Sequence, residues 1–167
     1  MQNRNPKVDI PVSGGEIWMH RSALALIGFS AMLILFNYSD LPDRIPIHFD
    51  ALGNPDSWSE KAMIWVVPMM MGATVWLLQR ISKMPPHQFN YAIEITKENA
   101  AYYYKKTRYA LALMNLVIGG ITLLLTWQML NIALGNATKF GAWTVPAILI
   151  AIAIPIVIMV YPPYSKD

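Results

Sequence analysis

Residues 109–138 read YALALMNLVIGGITLLLTWQMLNIALGNAT, without one Asp, Glu, Lys or Arg. A stretch of this length without charge fits lipid as its solvent. A helix needs about 20 apolar residues to cross the roughly 30 Å hydrocarbon core, where only helices and closed barrels satisfy their own backbone groups. Ser22 to Ser39, Ala62 to Gln79 and Phe140 to Ser165 are free of charge in the same way. The composition agrees, with 55% hydrophobic and 14% charged residues and a mean hydropathy of +0.36, too apolar for an ordinary soluble domain. The runs are continuous, whereas a barrel strand would alternate over about ten residues.

The expected fold is therefore an all-α membrane protein, a single domain over residues 1–167. It is a bundle of four transmembrane helices at about 18–38, 62–80, 97–130 and 143–161, joined by loops 39–61 and 81–96. The first helix lacks a small-residue cleavage site and is expected to be retained. The chain has no cysteine, which removes disulfides, thiolate nucleophiles and cysteine metal sites.

Basic residues set the orientation. With the amino end inside, Arg4, Lys7, Arg21, Arg80, Lys83, Lys97, Lys105, Lys106, Arg108 and Lys166 are cytoplasmic, and only Arg44, Lys61 and Lys139 are outside. Ten against three is a positive-inside asymmetry that puts both termini in the cytoplasm and loop 39–61 outside. The net charge of +3 is then a topological signal, and nucleic acid is not expected as a partner.

Pro68 should loosen the second helix, Pro155 should bend the fourth, and Pro162 and Pro163 should end it. Thr96 is the expected N-cap of the third helix, which at 1.5 Å per residue would run about 50 Å and project into the cytoplasm. Tyr102, Tyr103, Tyr104, Lys105, Lys106, Arg108 and Tyr109 form an expected aromatic and basic collar in the headgroups. Asn115, Gly119, Thr122 and Thr126 recur at helical spacing and should pack against another helix. No acid, base or arginine lies well inside an expected span, which weighs against a proton-coupled pump or ion channel. His20 and His87, at the membrane edge, need no special role.

The outer connection, SDLPDRIPIHFDALGNPDSWSEK over residues 39–61, reads as a short extended or hairpin-like flap. Pro42 and Pro46 prevent helix, Asp50 to Gly53 is turn chemistry, and Trp58 can return to the interface. His48, Asp50, Asp56 and Glu60 supply imidazole and carboxylates that could take a divalent metal, although the spacing matches no dedicated motif. No cofactor is otherwise expected. Asp56 and Lys61 are placed to pair across the start of the second helix.

The order of Pro42, Ile45, Pro46, His48, Phe49, Gly53, Asp56, Trp58 and Lys61 resembles the signature of the prokaryotic domain of unknown function 1648, a family that includes the SdpI-like bacteriocin immunity proteins. Phe89, Asn90, Tyr91, Ile95, Thr96, Glu98 and Asn99 resemble the segment after that family's second helix. The resemblance thus covers residues from about 20 to 130. It implies a small protein of the prokaryotic cell membrane, with members that protect against a secreted toxic peptide.

No catalytic motif is present, so no reaction can be named. The expected function is binding or interaction, immunity-like or sensing an extracellular peptide or lipid, with sites at His48, Asp50, Asp56 and Lys61 outside and Asn90 and Asn99 inside. The alternatives are a homo-oligomer, a membrane-complex subunit or small-molecule transporter using the Asn115 face, and an outer metal-dependent site or enzyme.

Overall fold

A computed structural model describes residues 5–161. Arg4, Lys166, Pro162 and Pro163 lie outside them. The order is α1 (Gly14–Asn37), a hairpin of β1 (Arg44–Phe49) and β2 (Pro55–Glu60), a 3-10 turn (Lys61–Trp65), α2 (Val66–Ser82), α3 (Ala100–Ala133) and α4 (Thr144–Val160). Three helical stretches, Gly14–Asn37, Lys61–Ser82 and Ala100–Ala133, are long and apolar enough to cross a membrane. The fourth spans about 26 Å at 1.5 Å per residue.

The helix boundaries differ from the expected ones for local reasons. α1 begins four positions before Trp18 because Ser13 and Glu16 close a capping box: Glu16 N–H donates to Ser13 Oγ at 3.2 Å, and the Glu16 side chain accepts from Ser13 N–H at 3.4 Å. Two orphan amides are satisfied at once. Thr96 does not cap α3. Its N–H donates to Asn99 Oδ1 at 2.9 Å, and Asn99 Nδ2 donates to Glu94 O at 3.1 Å. That turn delays the helix to Ala100. At the other end Gly135 takes φ 77, with Gly135 N–H donating to Ile132 O and Asn136 N–H to Asn131 O. This Schellman arrangement, not Leu130, ends α3.

Pro68 falls in the first turn of α2, where its missing N–H would have no intrahelical partner anyway. The irregularity expected there is the 3-10 turn just before it. Pro155 lies inside α4 and is buried.

α3 is the central element and packs on α1, α2 and α4. Its seam with α1 is marked by small and polar groups: Ala23 and Ser30 of α1 and Asn115, Gly119, Thr122 and Thr126 of α3 are all buried, and Ala23 lies against Gly119. A Cβ on Gly119 would stand 2.9 Å from both Cα and O of Ala23, so only glycine permits this approach. The face is buried within the chain. Apolar clusters close the two ends. Ile34, Leu41, Ile45, Ile64 and Leu130 lie under the hairpin, and Ile10, Ile95, Ala100 and Tyr104 lie at the opposite end.

Candidate ligand cavity and the hairpin

The hairpin is antiparallel, with Arg44 opposite Glu60, Pro46 opposite Trp58 and Phe49 opposite Pro55, and its register slips on either side of His48. Asp50 builds the turn. Its Oδ1 accepts from the amides of Leu52 and Asn54, both at 2.8 Å, and its Oδ2 accepts from Asn54 Nδ2 at 2.9 Å. Gly53, at φ 83, lets the turn lie directly on Phe140, whose N–H donates to Gly53 O at 2.9 Å. The Phe49 and Phe140 rings stack with centroids 3.8 Å apart. The flap is therefore clamped onto the α3–α4 connection.

The four acid and imidazole residues of the hairpin are not gathered on one centre. Asp50 is engaged in its own turn, and Glu60 stands at the far end of the ladder. His48 Nδ1 and Asp56 Oδ1 pair at 2.6 Å with both side chains largely exposed. Among the described residues, no three His, Asp or Glu converge as a metal-ligand set. Asp56 is paired with His48, not Lys61, whose Nζ lies 5.3 Å from the Tyr38 ring centroid. On the opposite side of the protein, Asn99 is part of the turn before α3, and Asn90 is exposed.

Asp50 gives the hairpin a pH dependence. The Asn54 side-chain amide first, then the backbone amides, favour its ionised form and hold its pKa below the ordinary 3.8. A group depressed in the folded state stabilises fully above its unfolded pKa, and this is lost as pH falls through the folded value. The protection factors of the Leu52 and Asn54 amides against hydrogen exchange, taken relative to the intrinsic rate at each pH, are expected to be constant above pH 3.8 and to fall below it. Asp50→Ala should abolish the step. Equal protection across that range would contradict the turn geometry.

The end remote from the hairpin holds the more organised site. Residues 5–13 form a strap across the helix ends. Asn5 Nδ2 donates to Phe89 O at 2.9 Å, Tyr104 Oη donates to Pro6 O at 2.8 Å, and Ile10 fills the cluster with Tyr104. Tyr91 Oη donates to Pro86 O at 3.1 Å, and burial pushes its hydroxyl up to about 12. It therefore stays a neutral donor.

Arg108 pins the strap to α1. Its Nε and Nη2 donate to Glu16 Oε2 at 3.0 and 2.7 Å, and Nη1 donates to Ile10 O at 2.7 Å. Ser13 Oγ donates to Glu16 Oε1 at 3.0 Å. The Arg108 and Glu16 side chains are only 7% and 9% exposed, so every charged group is matched by a fixed partner, as burial demands. The expected collar is thus divided: Tyr104 and Arg108 point inward, and Tyr102, Lys105, Lys106 and Tyr109 occupy another face of α3.

His20 joins three helices. Asn115 Nδ2 donates to His20 Nδ1 at 2.8 Å, which leaves the ring proton on Nε2 for Ser82 Oγ at 3.3 Å. Ser82 Oγ donates to Gln79 O, and Gln79 Nε2 donates to His20 O at 3.2 Å. Glu16, His20, Gln79, Ser82 and Arg108 line a cavity of about 730 Å³, enclosed also by Val8, Ile10, Val12, Ile17 and Met84. Lys7, Arg21 and Lys83 stand exposed around it.

Glu16 and Gln79 are not among the candidate residues named from sequence, and His20, expected to need no special role, lies at the meeting of three helices. The signal for Glu16 was present as the Ser13-x-x-Glu16 capping pattern, obscured by the intervening Gly14 and Gly15. His20 and Asn115 are distant in sequence, and no spacing rule joins them.

No curated protein and no solved structure matches the chain. A family match covers residues 25–72, from α1 through the hairpin into α2, and stops short of the Phe89 to Asn99 stretch. The carrier of that match is the segment clamped at the hairpin end, and in it this part of the chain is similar to the family described as Domain of unknown function (DUF1648).

Proposed function

We propose that the protein is a small multi-pass membrane binding protein whose main site is the cavity under the strap, and that its ligand is an amphiphile with an anionic head. All four helices cross the membrane in this reading, with both termini on the cytoplasmic side of a prokaryotic cell membrane. The basic asymmetry of the loops supports that orientation. The observation that carries the binding proposal is the cavity itself. Its volume of about 730 Å³ lies in the range of small-molecule sites, and it combines apolar walls with a few fixed polar groups. Val8, Val12, Ile17 and Met84 offer apolar surface, His20, Gln79 and Ser82 offer hydrogen bonds, and Lys7, Arg21 and Lys83 offer positive charge, with Asp9 and the Arg108-paired Glu16 as the acids among the described lining residues. An anionic head at the rim with an apolar tail inside satisfies all three.

A photoactivatable long-chain fatty acid is the probe. Adducts are expected on residues 7–21 and 79–87, and Ile17→Trp, which fills the wall, should reduce them by about tenfold, equivalent to 1.4 kcal/mol of affinity. Labelling spread evenly over lipid-facing positions such as Phe29, Leu35 and Leu149 would rule the site out. Adducts confined to residues 44–60 would move the ligand to the hairpin, a reading supported by the exposed His48, Asp56 and Trp58 on a rigid base.

A further inference from the structure

The strap has a second side. Tyr102, Lys105, Lys106 and Tyr109 share one face of α3, since residues three and four apart are neighbours on a helix. With Pro11, Val12 and Ile158 they enclose a groove of about 530 Å³. Glu16 is common to this groove and to the larger cavity, and its charge is already matched by Arg108. The groove therefore presents lysine charge on an apolar and aromatic wall. Lys106 Nζ sits 5.3 Å from the Tyr102 centroid and 5.6 Å from that of Tyr103, while Lys105 is exposed.

Its depth in the bilayer follows from helix geometry. Trp127 and Trp143, 52% and 55% exposed, mark the interface at the hairpin end, where amphipathic aromatic rings concentrate. From Trp127 back to Tyr109 the rise is about 27 Å at 1.5 Å per residue, close to the roughly 30 Å of hydrocarbon. Tyr109 thus stands at the opposite hydrocarbon boundary. Lys105 and Lys106 lie about 5 Å further out, among the headgroups. Ile158, half-buried, continues the wall onto the apolar surface of α4 toward the hydrocarbon.

We propose that this groove binds the anionic headgroup of a membrane lipid, with its phosphate between Lys105 and Lys106 and its acyl chains running along α4. This site adjoins the cavity of the proposed function, sharing Val12 and Glu16 with it, but its lysines are not part of that cavity. The two tyrosines contribute apolar ring surface toward the chains and hydroxyls toward the headgroup.

The test uses the full-length protein in nanodiscs of equal phosphatidylglycerol and phosphatidylcholine, with retained lipids counted by native mass spectrometry. Preferential retention of phosphatidylglycerol is expected. Lys105→Gln with Lys106→Gln should lower that preference by about tenfold, while Lys97→Gln should leave it unchanged. Arginine at both positions, which keeps the charge, should restore it. Absence of a preference in the wild type, or an equal loss with Lys97→Gln, overturns the proposal. Displacement of phosphatidylglycerol by millimolar inorganic phosphate would assign the groove to free phosphate and overturn the lipid assignment.

Discussion

Arg108→Ala is expected to destabilise the protein by about 3–5 kcal/mol, the usual consequence of stranding one member of a buried ion pair. Arg108 makes three of the contacts that hold the strap to α1, two to Glu16 Oε2 and one to Ile10 O. Its loss leaves the Glu16 carboxylate buried with only the Ser13 hydrogen bonds. Two responses are open to the chain. Either Glu16 takes up a proton, or the strap lifts and admits water to both cavities.

The double substitution Glu16→Leu with Arg108→Met removes both charges and is expected to recover most of the loss, because well-packed apolar replacements of buried pairs are often close to neutral. Denaturant-induced unfolding in detergent measures the first effect, and proteolysis before Gly14 reports strap release. A change within about 1 kcal/mol for Arg108→Ala, the scale of an exposed pair, would show that the latch contributes little.

Gly119→Leu has the second large effect, about 3 kcal/mol or more, at the upper end of overpacking. The nearest atoms to the new Cβ would be Cα and O of Ala23 at 2.9 Å. These are backbone atoms and cannot rotate away, so α1 and α3 must separate. One turn nearer the strap, that movement pulls Asn115 from His20. Gly120 is the control on the same helix, with nothing within 4 Å of its Cβ position. Gly120→Ala is expected to be neutral or stabilising by up to about 1 kcal/mol, the difference in helix propensity. Thermal denaturation of the two variants side by side decides the matter. If both behaved alike, the close crossing at Ala23 would be wrong.

Much of the architecture was legible in the sequence because lipid leaves few options. Long uncharged stretches named the helices to within a few residues, and the prolines and turn residues of 39–61 named an extended flap. The errors at boundaries came from side chains competing for backbone groups. Asn99 held Thr96 in a turn and so moved the start of α3, and Gly135 supplied the left-handed residue that ended it. The hairpin acids looked like a set because they are close in sequence, but the ladder directs them to different tasks: Asp50 to its turn, Asp56 to His48, and Glu60 opposite Arg44.

By itself, the sequence determined that this is a helical membrane protein with a shaped loop between its first two helices, since charge-free length and turn chemistry are local properties. Only the tertiary structure decided where the chemistry lies. Glu16 with Arg108 and His20 with Asn115 each join residues more than ninety positions apart, and that pairing depends on α1 and α3 crossing at Gly119. A local pattern cannot encode it, because a buried charge or amide is satisfied by whichever distant helix packing brings within about 3 Å.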